Sequence, residues 1–225
     1  MKHVLIIAPH HDDETLGCGG SIAKISQQGI RVSLGVVLDG ASGVPEARNR
    51  EAAMEVRKRE AGNAGKVLGI SEFHFLDFED RGFAYSREAL QSIIRLIRQC
   101  RPTSIWFPHE NDGDIEHKIV HQLVREASWM AASPYLPELG PPAPQIKQLL
   151  CYEVWTPLQS FQMVVDITAT IGTKLDAMAC YKSQLEQASY GEAIQGLNRY
   201  RAVMSTQAEY AEVFQVFHTA FEVPE

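Results

Sequence analysis

The chain has 225 residues, of which 45% are hydrophobic and 22% are charged, and its formal net charge at pH 7 is -7. This composition is typical of one globular domain with its own hydrophobic core, and it argues against a disordered or coiled-coil protein. The acidic balance argues against a nucleic-acid partner, because binding to the phosphate backbone depends on clustered Lys and Arg. No apolar run reaches the ~18 residues of a membrane span, and the N-terminal apolar run is too short for a signal peptide, so we expect a cytoplasmic protein.

Short apolar runs alternate with longer helical patterns along the chain. The predicted strands are 4–8, 30–38, 72–76, 104–107, 148–154, 163–167 and 213–217, and the predicted helices are 14–28, 46–68, 86–100, 117–130, 168–185 and 192–204. This alternation predicts an α/β fold, a three-layer sandwich with a Rossmann-like, mostly parallel sheet and a C-terminal helix and strand extension. Residues 1–130 would form the core of a single domain, and 131–225 a proline-rich connector and the extension. The proline-rich stretch 133–145 is either a stiff surface connector or a lid over the site.

The four cysteines are widely spaced and form no C-x-x-C pair. They are Cys18, Cys100, Cys151 and Cys180. They therefore predict neither a disulfide framework nor a cysteine-rich zinc site. We expect reduced cysteines, most of them buried.

Two clusters of histidines and carboxylates follow predicted strands. The first, residues 10–14, reads His-His-Asp-Asp-Glu after the first strand, and the second, residues 109–117, holds two histidines and four carboxylates after the fourth strand. In a sheet of order 3-2-1-4-5 these two strands are neighbours, and ligands bind beyond their carboxyl ends. Two histidines and one carboxylate with an open fourth position are typical of a catalytic zinc site.

A glycine-rich segment, residues 17–20, also follows the first strand, and Asp39 ends the second. This pattern imitates a dinucleotide-binding fingerprint. The third glycine position holds Ile22, however, and the carboxylates before the segment would repel a pyrophosphate. We therefore expect the glycines to allow the first helix to approach the sheet closely.

The first cluster, together with Ala8 and Pro9, resembles the A-H-P-D-D-E signature of the LmbE-like (PIG-L) de-N-acetylase family. Further similarities extend along nearly the whole chain: Arg57-x-x-Glu60 followed by Leu68-Gly69, Asp114-Ile115-Glu116-His117 at the place of H-x-D-H, and Asp166-Ile167-Thr168, Lys174 and Tyr181-Lys182-Ser183-Gln184 in the C-terminal half. The resemblance implies a zinc-dependent hydrolase that removes acyl groups, usually acetyl, from amino sugars and their conjugates.

Carried over position by position, the resemblance implies that His10, Asp13 and His117 hold Zn²⁺ and that Asp12 is the general base. These assignments agree with the chemistry, because zinc lowers the pKa of a bound water towards ~7 and a neighbouring carboxylate can accept its proton. His121, one turn after His117, would be an alternative metal ligand.

The sequence departs from the family pattern at two positions. His11 replaces the proline of the signature, and it is either a spare polar residue or an alternative ligand. Asp114 replaces the first histidine of H-x-D-H, which is thought to stabilise the oxyanion or protonate the leaving amine. We expect Asp114 to have a catalytic role if burial keeps it protonated. Alternatively, His109 swings in.

Other residues are candidates for substrate contacts. Glu60 falls on the buried face of the second helix, and Arg57 would pair with it, or would contact substrate or orient the active-site loop. His109 and Trp155 are further substrate-binding candidates, and Tyr181 and Tyr190 are candidate hydroxyl donors to the oxyanion.

The predicted function is therefore deacetylation of an N-acetylglucosamine-type compound. The partner is then a small amino-sugar substrate, and a homo-oligomer is possible. Two alternatives stay open: an amidase that acts on a larger sugar-amide conjugate, and a non-catalytic carbohydrate-binding protein that has kept the metal.

Overall fold

Seven strands form one sheet in the computed structural model, which describes residues 2–220. The strands are β1 His3–Ala8, β2 Arg31–Leu38, β3 Glu72–Phe78, β4 Ser104–Pro108, β5 Gln148–Tyr152, β6 Met163–Asp166 and β7 Ala211–Thr219. Their spatial order is β3-β2-β1-β4-β5-β7-β6. The first five are parallel, and β7 pairs antiparallel with both β5 and β6. The predicted α/β fold, its strand order and its C-terminal extension are confirmed.

Helices cover both faces of this sheet. They are α1 Asp13–Gln27, α2 Arg50–Leu68, α3 Arg87–Cys100, α4 Ile115–Ala132, α5 Ile171–Met178, α6 Lys182–Leu185 and α7 Tyr190–Ser205. Alternate residues of β1 supply the two cores, because successive side chains of a strand point to opposite faces. Leu5 and Ile7 pack with α3 and α4, whereas Val4 and Ile6 pack with α1, α2 and α5. Within the described residues, no helix combines the length and apolar character that crossing a bilayer requires.

Two predicted helices differ from the structure by more than two residues at an end or in their middle. The second begins at Arg50 rather than at residue 46, because the side chain of Asn49 caps it by accepting from the backbone N–H of Ala52 at 2.9 Å. The prediction of one helix over 168–185 was wrong. The chain leaves the helix between α5 and α6, where Tyr181 is fully buried and donates to Glu14 Oε1 at 2.6 Å.

Close packing against α1 depends on its glycines. A Cβ at Gly17 would lie 2.4 Å from Tyr152 Cδ2, and one at Gly20 would lie 2.8 Å from Ile167 Cδ1. Contacts this short are sterically forbidden, so any larger residue would push α1 away from β5 or from the start of the extension. The interpretation of these glycines as packing residues is confirmed, and the packing fixes the helix that begins at Asp13.

A single buried arginine anchors the proline-rich stretch. Arg98 of α3 donates to the carbonyl oxygens of Leu136 and Gly140 at 2.6 and 2.8 Å, and to further carbonyls near the end of α4. A guanidinium group can satisfy several backbone acceptors at once, which compensates for the cost of burying its charge. The stretch is thereby fixed against α3 and α4.

Candidate metal centre and cavity

The loop after β1 brings two carboxylates and a histidine to the carboxyl edge of the sheet. The backbone N–H of His10 donates to Asp13 Oδ2 at 2.7 Å, which closes the loop into the first turn of α1. Asp12, between them, has a φ of 126°, a conformation that is costly for any residue with a Cβ. This strained backbone separates the two neighbouring aspartates, so that Asp13 faces the histidines and Asp12 lines a cavity.

Three nitrogen and oxygen atoms converge beside this loop. His117 Nε2, from α4, lies 3.2 Å from Asp13 Oδ2 and 3.3 Å from His10 Nδ1, and His10 Nδ1 lies 3.5 Å from Asp13 Oδ2. The three side chains are buried, and they form a group that could hold a metal ion. The structure thus brings together the three residues predicted as ligands.

The spacing and chemistry of these atoms fit a zinc ion. Nitrogen and oxygen ligands ~2.0–2.1 Å from a tetrahedral Zn²⁺ lie roughly 3.3 Å from one another. Asp13 Oδ1 is buried and has no hydrogen-bond partner among the described residues. An unpaired buried carboxylate oxygen is costly, and a cation at the convergence of the three side chains would compensate for it.

A second pair of carboxylates orients the two histidines. His10 Nε2 donates to Glu116 Oε2 at 2.8 Å, and His117 Nδ1 lies 3.5 Å from Asp112 Oδ1. Metal-binding histidines commonly have such a partner on the ring nitrogen that faces away from the ion. The sequence analysis did not assign these roles, although both carboxylates lie within the second cluster.

The charges of the surrounding groups shift the pKa values of the three side chains strongly. Burial opposes a proton on either imidazole, yet hydrogen bonds to Asp13 and Glu116 raise the pKa of His10 to about 9. For His117, burial is likewise outweighed by the charge of Asp13 and its bond to Asp112, which raise the pKa to about 10. Despite its burial, Asp13 has a lowered pKa because the histidine charges stabilise its carboxylate. The arrangement therefore favours positive charge, as a cation site must.

Asp12 has a different electrostatic environment from Asp13. Burial raises its pKa to about 7, against the opposing charge of Arg57 and with the help of the Asp13 and Glu14 charges. Arg57 Nη2 lies 3.2 Å from Asp12 Oδ2 and also donates to the carbonyl of His11. A carboxylate whose pKa lies near neutrality is suited to exchange a proton at pH 7.

A cavity of about 380 Å³ opens beside the three convergent atoms. Its lining includes His10, Asp12, Gly40, Ser42, Gly43, Arg57, Asp80, Arg81, Gly113, Asp114, Trp155, Gln184, Gln187 and Tyr190. The structure therefore places Arg57 and Trp155, two of the substrate-binding candidates, together at the cavity. None of the proline-rich residues 133–145 belongs to this lining. The stretch therefore lies outside the cavity wall, and its role as a connector or a lid stays a prediction.

Arg57 pairs with Glu60 and also belongs to the cavity lining. Its Nη1 lies 3.7 Å from Glu60 Oε2, and Glu60 also accepts from the backbone N–H and hydroxyl of Ser183 at 2.9 and 2.7 Å. The Nε and Nη1 atoms of Arg57 have no hydrogen-bond partner within residues 2–220. Both atoms are buried, although Arg57 as a residue belongs to the cavity lining.

Asp114 lies at the cavity, where both carboxylate oxygens are acceptors. Oδ1 caps α4 by accepting from the backbone N–H of Glu116 at 2.8 Å, and Oδ2 lies 3.3 Å from Arg81 Nη1. Neither oxygen donates a hydrogen bond in the described part of the chain, and the donor role considered in the sequence analysis stays a prediction.

Two further histidines that the sequence analysis considered, His109 and His121, lie apart from the convergent atoms. His109 has both ring nitrogens engaged, by the carbonyl of Thr156 at 2.7 Å and the N–H of Asn111 at 3.2 Å, and it does not line the cavity. The structure therefore does not bring this substrate-binding candidate to the site. His121 donates to the carbonyl of Pro108 at 2.9 Å and is not part of the ligand group.

His11 is fully buried and stacks on Phe75, with ring centroids 5.4 Å apart. Neither of its ring nitrogens has a partner in the described part of the chain. Burial first, and then the charge of Arg57, lower its pKa well below the ordinary value, so the ring is neutral. It is not in the ligand group, which agrees with the interpretation of a spare polar residue.

A family model described as "PIG-L: GlcNAc-PI de-N-acetylase" matches residues 5–128, a range that holds every member of the metal centre. A diacetylchitobiose deacetylase of Thermococcus kodakarensis is 36% identical over 124 residues, which are 52% of this chain and 46% of that protein. The chain thus spans about half the length of the curated relatives it matches.

Solved structures share the fold over nearly the whole chain. An N,N'-diacetylchitobiose deacetylase from Pyrococcus horikoshii, 23% identical, superimposes with a TM-score of 0.86 and covers 96% of this chain and 84% of its own. The 4-carboxy-2-hydroxymuconate hydratase of Pseudomonas putida, 20% identical, reaches a TM-score of 0.84 with complete coverage of both chains, 100% of each. At these identities the likeness establishes the fold alone, because one fold serves different reactions.

Proposed function

Because the chain belongs to the PIG-L family, we propose that it is a zinc-dependent hydrolase that removes the N-acetyl group from an amino-sugar compound. The observation that carries this proposal is the convergence of His10 Nδ1, Asp13 Oδ2 and His117 Nε2 within 3.5 Å, beside a cavity lined by Asp12. This arrangement supports a site for a divalent cation next to a carboxylate that would exchange a proton. Together, a divalent cation and a carboxylate base can activate water for the hydrolysis of an amide.

His10, Asp13 and His117 would hold the ion. When bound, zinc would supply Lewis-acid polarisation of the amide carbonyl and acidify a water molecule. Glu116, by its hydrogen bond to His10 Nε2, and Asp112, by its charge 3.5 Å from His117 Nδ1, would keep the opposite ring nitrogens directed at the ion.

Asp12 accepts the proton of the attacking water on a carboxylate oxygen. The same carboxyl then gives the proton to the amide nitrogen, so that acetate and a free amine leave. Arg57 keeps Asp12 directed at the cavity through its 3.2 Å contact and its bond to the His11 carbonyl. As a residue of the cavity lining, Arg57 would also contact a substrate oxygen.

The cavity wall offers contacts for a sugar ring. Trp155 is 45% exposed, and its ring lies 5.9 Å from that of Tyr190, centroid to centroid. An aromatic face can cover the apolar face of a pyranose, while Gln184, Gln187 and Asp80 on the same lining can bond its hydroxyl groups. The predicted cytoplasmic location and the oligomeric state stay predictions.

Acetate release tests the proposal. The zinc-loaded chain would be incubated with N-acetylglucosamine, N,N'-diacetylchitobiose and N-acetylglucosaminides with polar aglycones, and the acetate formed would be measured. Asp12→Asn should retain zinc by elemental analysis but lose roughly 10²–10⁴-fold in kcat. Asp176→Asn, on an exposed position of α5, serves as the control.

Other outcomes would select the alternatives. Release from large conjugates alone would favour the amidase. Saturable sugar binding without any acetate from the wild-type chain would favour a carbohydrate-binding protein. Normal turnover by Asp12→Asn would remove Asp12 from the mechanism.

A further inference from the structure

A second group of metal-ligand side chains lies near the amino end of the edge strand β3, whereas the candidate metal centre lies at the carboxyl edge of the sheet. Glu72 and His74 are two residues apart on β3, so their side chains point to the same face. Cys100, the last residue of α3, packs against that face. Three residue types that bind transition metals therefore meet where a helix ends beside an edge strand.

The ligand atoms of these residues are close enough to share an ion. Cys100 Sγ lies 3.4 Å from His74 Nε2, which lies 3.9 Å from Glu72 Oε2, and all three atoms are within 4.8 Å of one another. Tetrahedral zinc with ligands at ~2.0–2.3 Å requires separations of roughly 3.3–3.6 Å, so a small side-chain adjustment suffices. Sulfur, imidazole and carboxylate together are a donor set for zinc rather than for Mg²⁺ or Ca²⁺.

Neighbouring residues hold the carboxylate in place. Ser33 donates to Glu72 Oε2 at 3.1 Å, and His3 Nε2 lies 2.8 Å from the Ser33 hydroxyl oxygen. Arg31 engages the other carboxylate oxygen, Oε1, and so leaves Oε2 as the one that faces His74. Such outer hydrogen bonds are typical of carboxylates that ligate metals.

Charge and exposure also suit a cation. Cys100 lies at the C-terminus of α3, where the helix dipole places partial negative charge. Cys100 is 5% exposed, whereas the side chains of His74 and Glu72 are 20% and 38% exposed. An ion can therefore enter from the side of the strand. The same opening leaves room for water as a fourth ligand.

We propose that Glu72, His74 and Cys100 form a second site for a thiophilic divalent cation, such as Zn²⁺. The site ties the edge strand β3 to the end of α3, and it does not depend on the proposed function.

Cobalt titration tests this site directly. A thiolate bound to Co²⁺ gives a charge-transfer absorption band, and the candidate metal centre contains no cysteine. Wild-type chain should therefore develop the band to saturation at one thiolate-bound Co²⁺ per chain. Cys100→Ser and His74→Gln should abolish or strongly weaken it, while Cys180→Ser, which removes a half-buried free cysteine elsewhere, should leave it unchanged.

Zinc stoichiometry gives the second measurement. Equilibrium dialysis should find two zinc ions per wild-type chain, one in Cys100→Ser and one in His117→Ala. Zinc should raise the Tm of His117→Ala, but it should not raise the Tm of the double variant that combines Cys100→Ser with His117→Ala. Absence of the band in a folded wild-type chain, or its persistence in Cys100→Ser, would overturn the proposal. Acetate release by Cys100→Ser would stay near the wild-type value, so failure here is separate from failure of the proposed function.

Discussion

Arg57 of α2 holds Asp12 in the loop that follows β1, with Nη2 3.2 Å from Asp12 Oδ2 and a second bond from the same nitrogen to the carbonyl of His11. The contact joins residues 45 positions apart in the chain. It has two consequences for Asp12. It compensates for the strained φ of 126° by fixing the loop on both sides, and its positive charge opposes the rise in pKa that burial causes.

The charge of Arg57 should be visible in the pH dependence of turnover. Since the arginine lowers the pKa of Asp12, Arg57→Gln should raise that pKa and move the acidic limb of the kcat/KM profile to higher pH. Arg57→Lys keeps the charge but not the forked geometry, so its limb should move less. Arg59→Gln, exposed on the same helix, is the matched control. An unmoved limb in a folded Arg57→Gln chain would show that Arg57 does not tune Asp12.

Removing the carboxylate that orients His10 should weaken metal binding without removing a ligand. Glu116→Gln loses the charge that engages His10 Nε2 at 2.8 Å, and we expect a ~10–100-fold lower zinc affinity. Competition with a chromophoric chelator would measure it. Glu110→Gln, an exposed carboxylate of the same segment, should bind zinc normally. Equal affinities for the two variants would contradict the orienting role.

Substitutions of Asp114 should distinguish between a role as helix cap and a role as hydrogen-bond donor in catalysis. As the N-cap of α4, it should be replaceable by Asn, whereas Asp114→Ala should lose about 1 kcal/mol of unfolding free energy. Because Arg81 is exposed and its pair with Asp114 is screened, we expect kcat/KM of both variants to stay within about tenfold of wild type. If kcat/KM of a zinc-loaded, folded Asp114→Ala chain fell roughly 10²-fold, Asp114 would instead be a donor to the oxyanion or to the leaving amine.

The buried neutral ring of His11 should cost stability in acid. Its folded-state pKa is depressed, so below the ordinary value of 6.5 only the unfolded chain takes up the proton, and stability is lost as the pH falls. His11→Phe keeps a ring on Phe75 and removes this loss, at most about 1.4 kcal/mol per pH unit. Denaturant unfolding of metal-free chains at pH 8 and pH 5.5 would measure it. His218 is exposed, so His218→Phe should lose as much unfolding free energy between pH 8 and pH 5.5 as the wild-type chain loses. The same loss in His11→Phe would refute the argument.

Trp155 should contribute to substrate binding rather than to chemistry. Trp155→Ala removes the aromatic wall beside Tyr190, and we expect KM to rise about tenfold while kcat changes little. Trp129 is also exposed, at 57%, but lies outside the cavity lining, so Trp129→Ala is the control. An unchanged KM would exclude Trp155 from the sugar site.

Much of the architecture could be predicted from the sequence because its signals are local. The apolar runs at β1 and β4, and the helical periods between strands, encode burial along the chain and hence a parallel sheet. Clusters of polar residues directly after two such strands must meet if those strands are neighbours. This is why the two clusters could be assigned to one site, although His10 and His117 lie 107 positions apart. The choice of His10, Asp13 and His117 within the clusters came from the family resemblance.

Other features depended on packing between distant segments. The break before α6 exists because Tyr181 reaches Glu14, and His109 turns away because Thr156 engages it. Neither contact leaves a periodic trace in the sequence, since each depends on where the fold places a partner more than 40 positions away. By itself the sequence determined which residue types crowd the strand ends. Only the tertiary structure decided which ring nitrogens of His10 and His117 converge on Asp13, which carboxylates contact the opposite nitrogens and which aspartate lines the cavity, because distances and burial set these relationships.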